Sequence, residues 1–335
     1  VTADVLTPPT PATVNPLTGL PVADPQLLER RPVLVKIQNV PRESRPQWGL
    51  SKADIVYEYY IEYGDTRLAA LYYGNNADMI GPIRSARHID QHIIQSTAAI
   101  FVFGGAYQEL YTLLSESSFG DRLVREGPNT YPALFRYEPQ GDNFLMLNMA
   151  ALPEIIEFYQ IDNARPNLEG MTFSKTPPPG GVPAAQIFVR FSGGMYNRWD
   201  YNPADGSYLR YADAQNDIER TNPVYDLLTD RLSGEPIQAD NVVVLLAEYE
   251  SLRDDAEVYD VGLDHPDGGT AYAARGGLIY TLKWQRQADN GLLILVDANG
   301  APFPLKPGQT WFEVVGLASD VSSEKNAWRF TFRQP

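Results

Sequence analysis

The sequence predicts a mixed α/β or α+β front half followed by a β-rich back half, and three stretches carry that prediction. From Thr66 to Gly105, an apolar run (Leu68–Tyr73), a turn-rich loop with Gly81-Pro82, a helix-like segment and a second apolar run outline a strand-loop-helix-strand unit. Residues 175–183, Lys-Thr-Pro-Pro-Pro-Gly-Gly-Val-Pro, suit neither a helix nor a central strand and read as a linker. Beyond them, β-branched and alternating runs follow one another between turn signals. The resulting division is a Thr/Pro tether over 1–14, a mixed-sheet α/β domain over 15–175, a Pro/Gly linker over 176–184 and a β-rich domain over 185–335, a sandwich or partly open barrel. Two domains suit 335 residues, because single cores rarely grow so large.

In chain order, residues 1–14 lack periodicity and have little to bury. Asn15-Pro-Leu-Thr-Gly-Leu is turn chemistry, and Pro32–Asn39 is β-branched and alternating, hence a strand. It feeds a loop, Pro41–Leu50, with Arg45, Gln47 and Trp48 at the kind of strand end where α/β sheets place ligand groups. Ala53–Glu62 reads as a strand with Asp54, Glu58 and Glu62 at even spacing on one face, and Arg67, Arg84 and Arg87 are the nearest counter-charges. Glu109–Glu116 and Asn148–Tyr159 read as helices, and 121–137 as irregular. In the back half, Ala185–Phe191, Asn241–Ala247, Gly277–Gln285, Leu292–Val296, Pro302–Leu305, Trp311–Val315 and Trp328–Phe332 read as strands. Tyr196–Tyr211 forms a hairpin around Pro203-Ala-Asp-Gly206.

Composition narrows the chemistry. A net charge of −15 excludes general nucleic-acid binding, which needs a basic face, so an anionic ligand would have to be captured at a local arginine cluster. The absence of cysteine removes disulfides, thiolate metal sites and thiol nucleophiles together. No cofactor is expected. No apolar run reaches bilayer length, so a membrane enters only through a lipid anchor. The tether and the opening at Val1 suggest a mature form whose leader has been removed.

Arg84, Ser85 and Arg87 fall where the central loop becomes a helix. Unpaired first-turn amides, the helix dipole and two guanidiniums would favour a carboxylate or phosphate there, with Ser85 as N-cap. With Asn39, Arg45 and Arg67 these form the expected ligand-binding set. The alternative is that the arginines pair with Asp54, Glu58, Glu62 or Asp90 and brace the loop. Glu58 and Glu62 are the candidates for acid–base chemistry, although ion pairing explains them as well. His88 and His92, four apart, place two ligands on one helix face, yet Ile89 stands where a zinc-protease motif needs Glu. Gly104-Gly105 lacks the Gly-x-Gly-x-x-Gly or Walker context of a nucleotide loop. Tyr196, Trp199, Tyr201, Tyr208 and Tyr211 form either a carbohydrate-stacking surface or cross-strand core pairs.

The segments N-P-L-T-G-L (15–20), R-P-V-L-V-K-I-Q-N (31–39), R-P-Q-W-G-L-S-K-A-D-I-V-Y-E (45–58), T-R-L-A-A-L-Y (66–72), I-G-P-I-R-S-A-R (80–87) and F-V-F-G-G (101–105) resemble the YerB-like family of bacterial lipoproteins, a two-domain family of unknown function. The back half resembles its second domain through W-D-Y-N-P-A-D-G-S-Y-L-R (199–210), N-V-V-V (241–244), L-V-D-A-N-G (295–300) and P-G-Q-T-W (307–311). The resemblance implies a signal peptide, a lipidated cysteine, a linker and this pair of domains, anchored to the outer face of the cytoplasmic membrane. It brings no catalytic residues. Tyr63 and Asp65 occupy positions where the pattern has glycine, giving E-Y-G-D-T-R. The expected role is a non-enzymatic binding or scaffolding protein for an anionic small molecule, an envelope glycopolymer or a protein partner. The alternative is a hydrolase or transferase acting on envelope polymers.

Overall fold

A computed structural model describes residues 13–137, 144–286 and 291–334. The tether therefore lies outside the described residues, except for its last two positions. Six strands of the front half set the frame: β1 (Val33–Gln38), β2 (Ile55–Tyr60), β3 (Thr66–Tyr72), β4 (Met79–Ile80), β5 (Ile100–Phe103) and β6 (Leu123–Arg125). β1 and β2 are buried at every position, so the alternation read in β1 does not mark a solvent face: Lys36 and Gln38 are buried as well. Three helices follow the predicted positions closely: α1 (Ile89–Thr97), α2 (Gln108–Ser115) and α3 (Leu152–Phe158), the last with Pro153 in its first turn.

An eleven-stranded sheet joins the two halves of the chain. From one edge it runs through Val182–Pro183, Leu278–Arg286, Gly269–Arg275, Asn241–Ala247, Thr310–Gly316, β2, β3, β1, β5 and β6, with Leu293–Val296 paired to Leu278–Arg286. Thr310–Gly316 lies parallel to both β2 and Asn241–Ala247, so a late strand is inserted between an early one and a middle one. β1, β2, β5 and β6 all point the same way, with β3 antiparallel between β1 and β2. Their carboxyl ends therefore share one edge.

The back half is β-rich as expected, in large mixed sheets with no closed barrel among the described residues. A second sheet contains Gln186–Arg190, the hairpin Tyr196–Asn202 with Ser207–Asp213, and Ala327–Thr331. It covers one face of the large sheet, where Trp199 meets Trp311 edge to face at 5.1 Å. Helix α1 lies on the other face, where its Asp90 reaches Lys36 of β1. The Pro/Gly stretch 175–183 is pinned to the sheet: Tyr280 donates to Pro178 O, Arg275 Nη2 donates to Ser174 O, and Val182 pairs with Ile279.

Several sequence motifs resolve into architecture. Asn15 donates to Asp54 Oδ1 and accepts from Leu17 N, while Asp54 Oδ2 takes the amides of Tyr73 and Gly74. Burial raises the Asp54 carboxyl to about 6. Gly19 has φ +66°, and a Cβ there would lie 2.7 Å from that of Phe173, so the Asn-Pro-Leu-Thr-Gly turn admits no side chain. The expected alignment of Asp54, Glu58 and Glu62 does not hold. β2 ends at Tyr60, and the three carboxylates serve three separate networks. Asp121–Tyr137, expected to be irregular, contains β6 and a short strand, Leu134–Arg136.

Candidate functional site

The carboxyl edge of the parallel strands is where open α/β sheets take ligands, and here it is built around the Gly81–Arg87 segment. β1 and β5 pair as far as Val35 and Val102 and then part. Arg84 fills the gap with its backbone, donating to Lys36 O and accepting from Gly104 N, while Ala86 N donates to Gly105 O. The Gly-Pro-Ile-Arg-Ser-Ala-Arg motif is thus a wedge between diverging strands. Gly104 fits because a Cβ there would stand only 3.3 Å from Leu145.

Helix α1 starts at Ile89, three residues later than a Ser85 cap requires. No side chain caps it; Asp90 in the first turn reaches back instead, its Oδ2 accepting from Arg87 N at 2.7 Å. The Asp90 and Gln91 amides already donate to Arg87 O and His88 O, so this helix start offers fewer free donors than the sequence suggested. Asp90 also holds Lys36 at 2.9 Å and bonds the Tyr59 hydroxyl. Burial pulls the Lys36 ammonium down to about 7 despite that carboxylate.

The predicted arginines separate. Arg45 faces the interior and binds Asp213 at 3.2 Å and Asn39 O at 2.8 Å. Arg87 forms a two-point pair with Glu62, through Nε at 2.7 Å and through Nη2, and its Nη1 donates to Ser85 O and Ala86 O. Arg84 is engaged as well. Arg67 differs: its Nη1 donates to Thr66 O at 3.3 Å, its Nε is buried without a partner, and no carboxylate among the described residues pairs with it. Burial first, then the nearby charge of Arg87, lowers its pKa to about 10.

Asn39 and Glu58 lie on the opposite face of the sheet. Asn39 donates to Glu58 and to Thr66 Oγ1. Glu58 binds Arg210, which also holds Glu313 at 3.1 Å, and all three are essentially solvent-free. Glu58 and Glu313 are direct partners on adjacent parallel strands, and Arg210 lies over the Trp311 and Trp199 rings. Burial and the Glu58 charge, opposed by Arg210, push the Glu313 carboxyl up to about 8. Glu58 is therefore sealed away from any ligand. Of the two readings of the back-half aromatics, the structure favours cross-strand core pairs: Tyr196, Trp199 and Tyr208 are buried, Tyr201 pairs with Tyr208, and Tyr201 and Tyr211 are half-buried.

The two histidines take different partners. His88 Nε2 bonds the Tyr107 hydroxyl, and His92 Nε2 meets Asp260 at 2.9 Å. Burial lowers the His88 pKa, so its ring is neutral at pH 7. Among the described residues no group of three or more His, Asp or Glu gathers to hold a metal.

A cleft of about 340 Å³ opens at this edge between the end of β2, the start of α1 and residues 256–261. Ser85, Arg87, His88 and Glu62 line it, so the structure brings four predicted residues together. Tyr60, Tyr63, Tyr107, Glu257 and Tyr259 complete it, and sequence reasoning did not place them there. Hydrogen bonds from the Tyr60 hydroxyl and the Tyr63 amide hold Glu257 below the usual carboxylate range. The one signal for this wall was Tyr63 standing where a glycine was expected.

Comparison with known proteins agrees with this architecture. The Bacillus subtilis (strain 168) protein named "Putative lipoprotein YerB" is 28% identical over 312 residues, covering 90% of this chain and 85% of that protein. The crystal structure of YerB from Bacillus subtilis superposes with a TM-score of 0.75 at 24% identity, covering 90% of this chain and 96% of that one. Residues 17–154 match the model "Protein of unknown function (DUF3048) N-terminal domain", and 187–312 match its C-terminal counterpart. With both domain models matched in order across most of its length, the chain belongs to the DUF3048 family.

Proposed function

We propose that the protein is an extracytoplasmic, lipid-anchored binding protein that holds an acidic envelope ligand at the carboxyl edge of its large sheet. The name of its Bacillus relative supports the location. The observation that carries the ligand class is Arg67, a desolvated guanidinium without a carboxylate partner among the described residues. Its direct cross-strand partner, Gln38, is fully buried, and neither polar atom of its amide has a partner. The guanidinium supplies the forked pair of donors that a carboxylate needs. Arg67 also lines a second groove, about 540 Å³, whose wall includes Asp65 and Val40. The arginines at 45 and 87 position the loops around this point through Asp213 and Glu62.

Acetate titration of 15N-labelled protein, followed at the arginine Nε–H resonances, tests this reading. The Arg67 resonance shifts and saturates, and Arg67→Gln abolishes the response. Uniform small shifts of exposed arginines, with Arg67 unmoved, would count against it.

A further inference from the structure

We infer that the cleft walled by Tyr63 takes a saccharide ring bearing an acidic substituent, with the ring stacked on Tyr63. The inference rests on the reading of Arg67 for the acid and adds the ring. Tyr63 adopts φ +59°, a region that bulky L-residues rarely enter, yet the residue is 83% exposed. A glycine would suit the turn better, and the core gains nothing from the ring, so folding does not explain the residue. Its amide donates to Glu257 Oε2 at 2.7 Å, which fixes the tyrosine at the cleft wall. Strained residues of this kind persist where the strain serves a site.

The rest of the wall matches a polyol. Tyr107 and Tyr259 contribute aromatic surface, and Ser85, Glu257 and the Glu62–Arg87 pair contribute donors and acceptors side by side. Sugar hydroxyls donate and accept at once and fit such mixed arrays, while their C–H faces lie on aromatic rings. The cleft sets Arg87 against Glu62 and Glu257, so it does not attract a multiply charged anion into itself. The acidic substituent is then read outside the ring pocket, by Arg67, which lines the second groove and feels the charges of Arg87 and Glu62 at the cleft wall.

Two probes separate the parts: N-acetylglucosamine and N-acetylmuramic acid, which differ by a lactyl carboxylate. Ligand-observed NMR titrations are run with the intact protein, Tyr63→Gly, Tyr63→Phe and Arg67→Gln, and melting temperatures are recorded beside them. The parent binds both sugars and prefers the acid. Tyr63→Gly melts no lower than the parent but weakens both sugars by on the order of tenfold, and Tyr63→Phe retains binding. Arg67→Gln keeps the neutral sugar and loses the preference. Unchanged affinity in Tyr63→Gly overturns the inference, as does a parent that binds neither sugar while acetate still moves Arg67; the proposed function survives both results. Equal affinity of the parent for the two sugars removes the Arg67 reading and leaves the ring. Failure of acetate and both sugars alike removes both.

Discussion

Replacing Glu313 with Gln should remove its share of the pH dependence of stability between pH 5 and 7.5. In the folded protein the Glu313 carboxyl titrates near 8 instead of its ordinary 4.5, because it is buried beside Glu58 and shares one guanidinium, Arg210. Between those two values the folded state keeps a proton that the unfolded chain has released. Each pH unit across that window therefore favours unfolding by about 1.4 kcal/mol. The stabilisation is complete below pH 4.5 and is lost as pH rises through 8. From pH 5 to 7.5 the parent should lose about 3 kcal/mol through this group, and Glu313→Gln, which has no proton to lose, should not. Urea unfolding followed by tryptophan fluorescence suits the measurement, because Trp199 and Trp311 flank Arg210. Glu58→Gln should reduce the parent's slope, since the Glu58 charge is the second cause of the shift. Parallel stability curves for the parent and Glu313→Gln would refute this account of the Glu313 proton.

Other perturbations probe the same physics elsewhere. Arg210→Met leaves the buried Glu58 and Glu313 side chains without their common guanidinium and should cost roughly 3–5 kcal/mol in urea unfolding at pH 7, with partial recovery in acid. Asp54→Ala leaves the amides of Tyr73 and Gly74 and the side chain of Asn15 without their acceptor and should cost more than about 2 kcal/mol. Gly308→Ala places a methyl group 1.7 Å from Asp240 Oδ2 at φ +143°, which should displace the Asp240 contact with Lys306 and lower stability by more than about 1 kcal/mol.

Local pattern made much of the frame legible. β1, β3, β5 and the 196–213 hairpin were visible because β-branched runs and the Asn-Pro-Ala-Asp-Gly turn signal themselves over a few residues. Long-range pairing was not visible. Nothing near Glu58 announces that its counter-ion is Arg210, or that Thr310–Gly316 will lie beside β2. The same distance effect misdirected the carboxylate reading: equal spacing was taken for one face, but the strand stops before Glu62 and starts after Asp54. Arg84, Ser85 and Arg87 were correctly singled out as a junction. What the local sequence does not reveal is that Arg84 works there through its backbone and that Asp90, from inside the first turn, holds the Arg87 amide while Ser85 caps nothing. The tyrosine wall was hidden because its members come from three separate segments.

A crystal structure grown with N-acetylmuramic acid tests the central claim most directly. The account predicts the sugar ring against Tyr63 and its carboxylate about 3 Å from the Arg67 guanidinium. A saturated crystal in which both side chains keep their ligand-free surroundings, with the sugar absent or bound on another face, would contradict it.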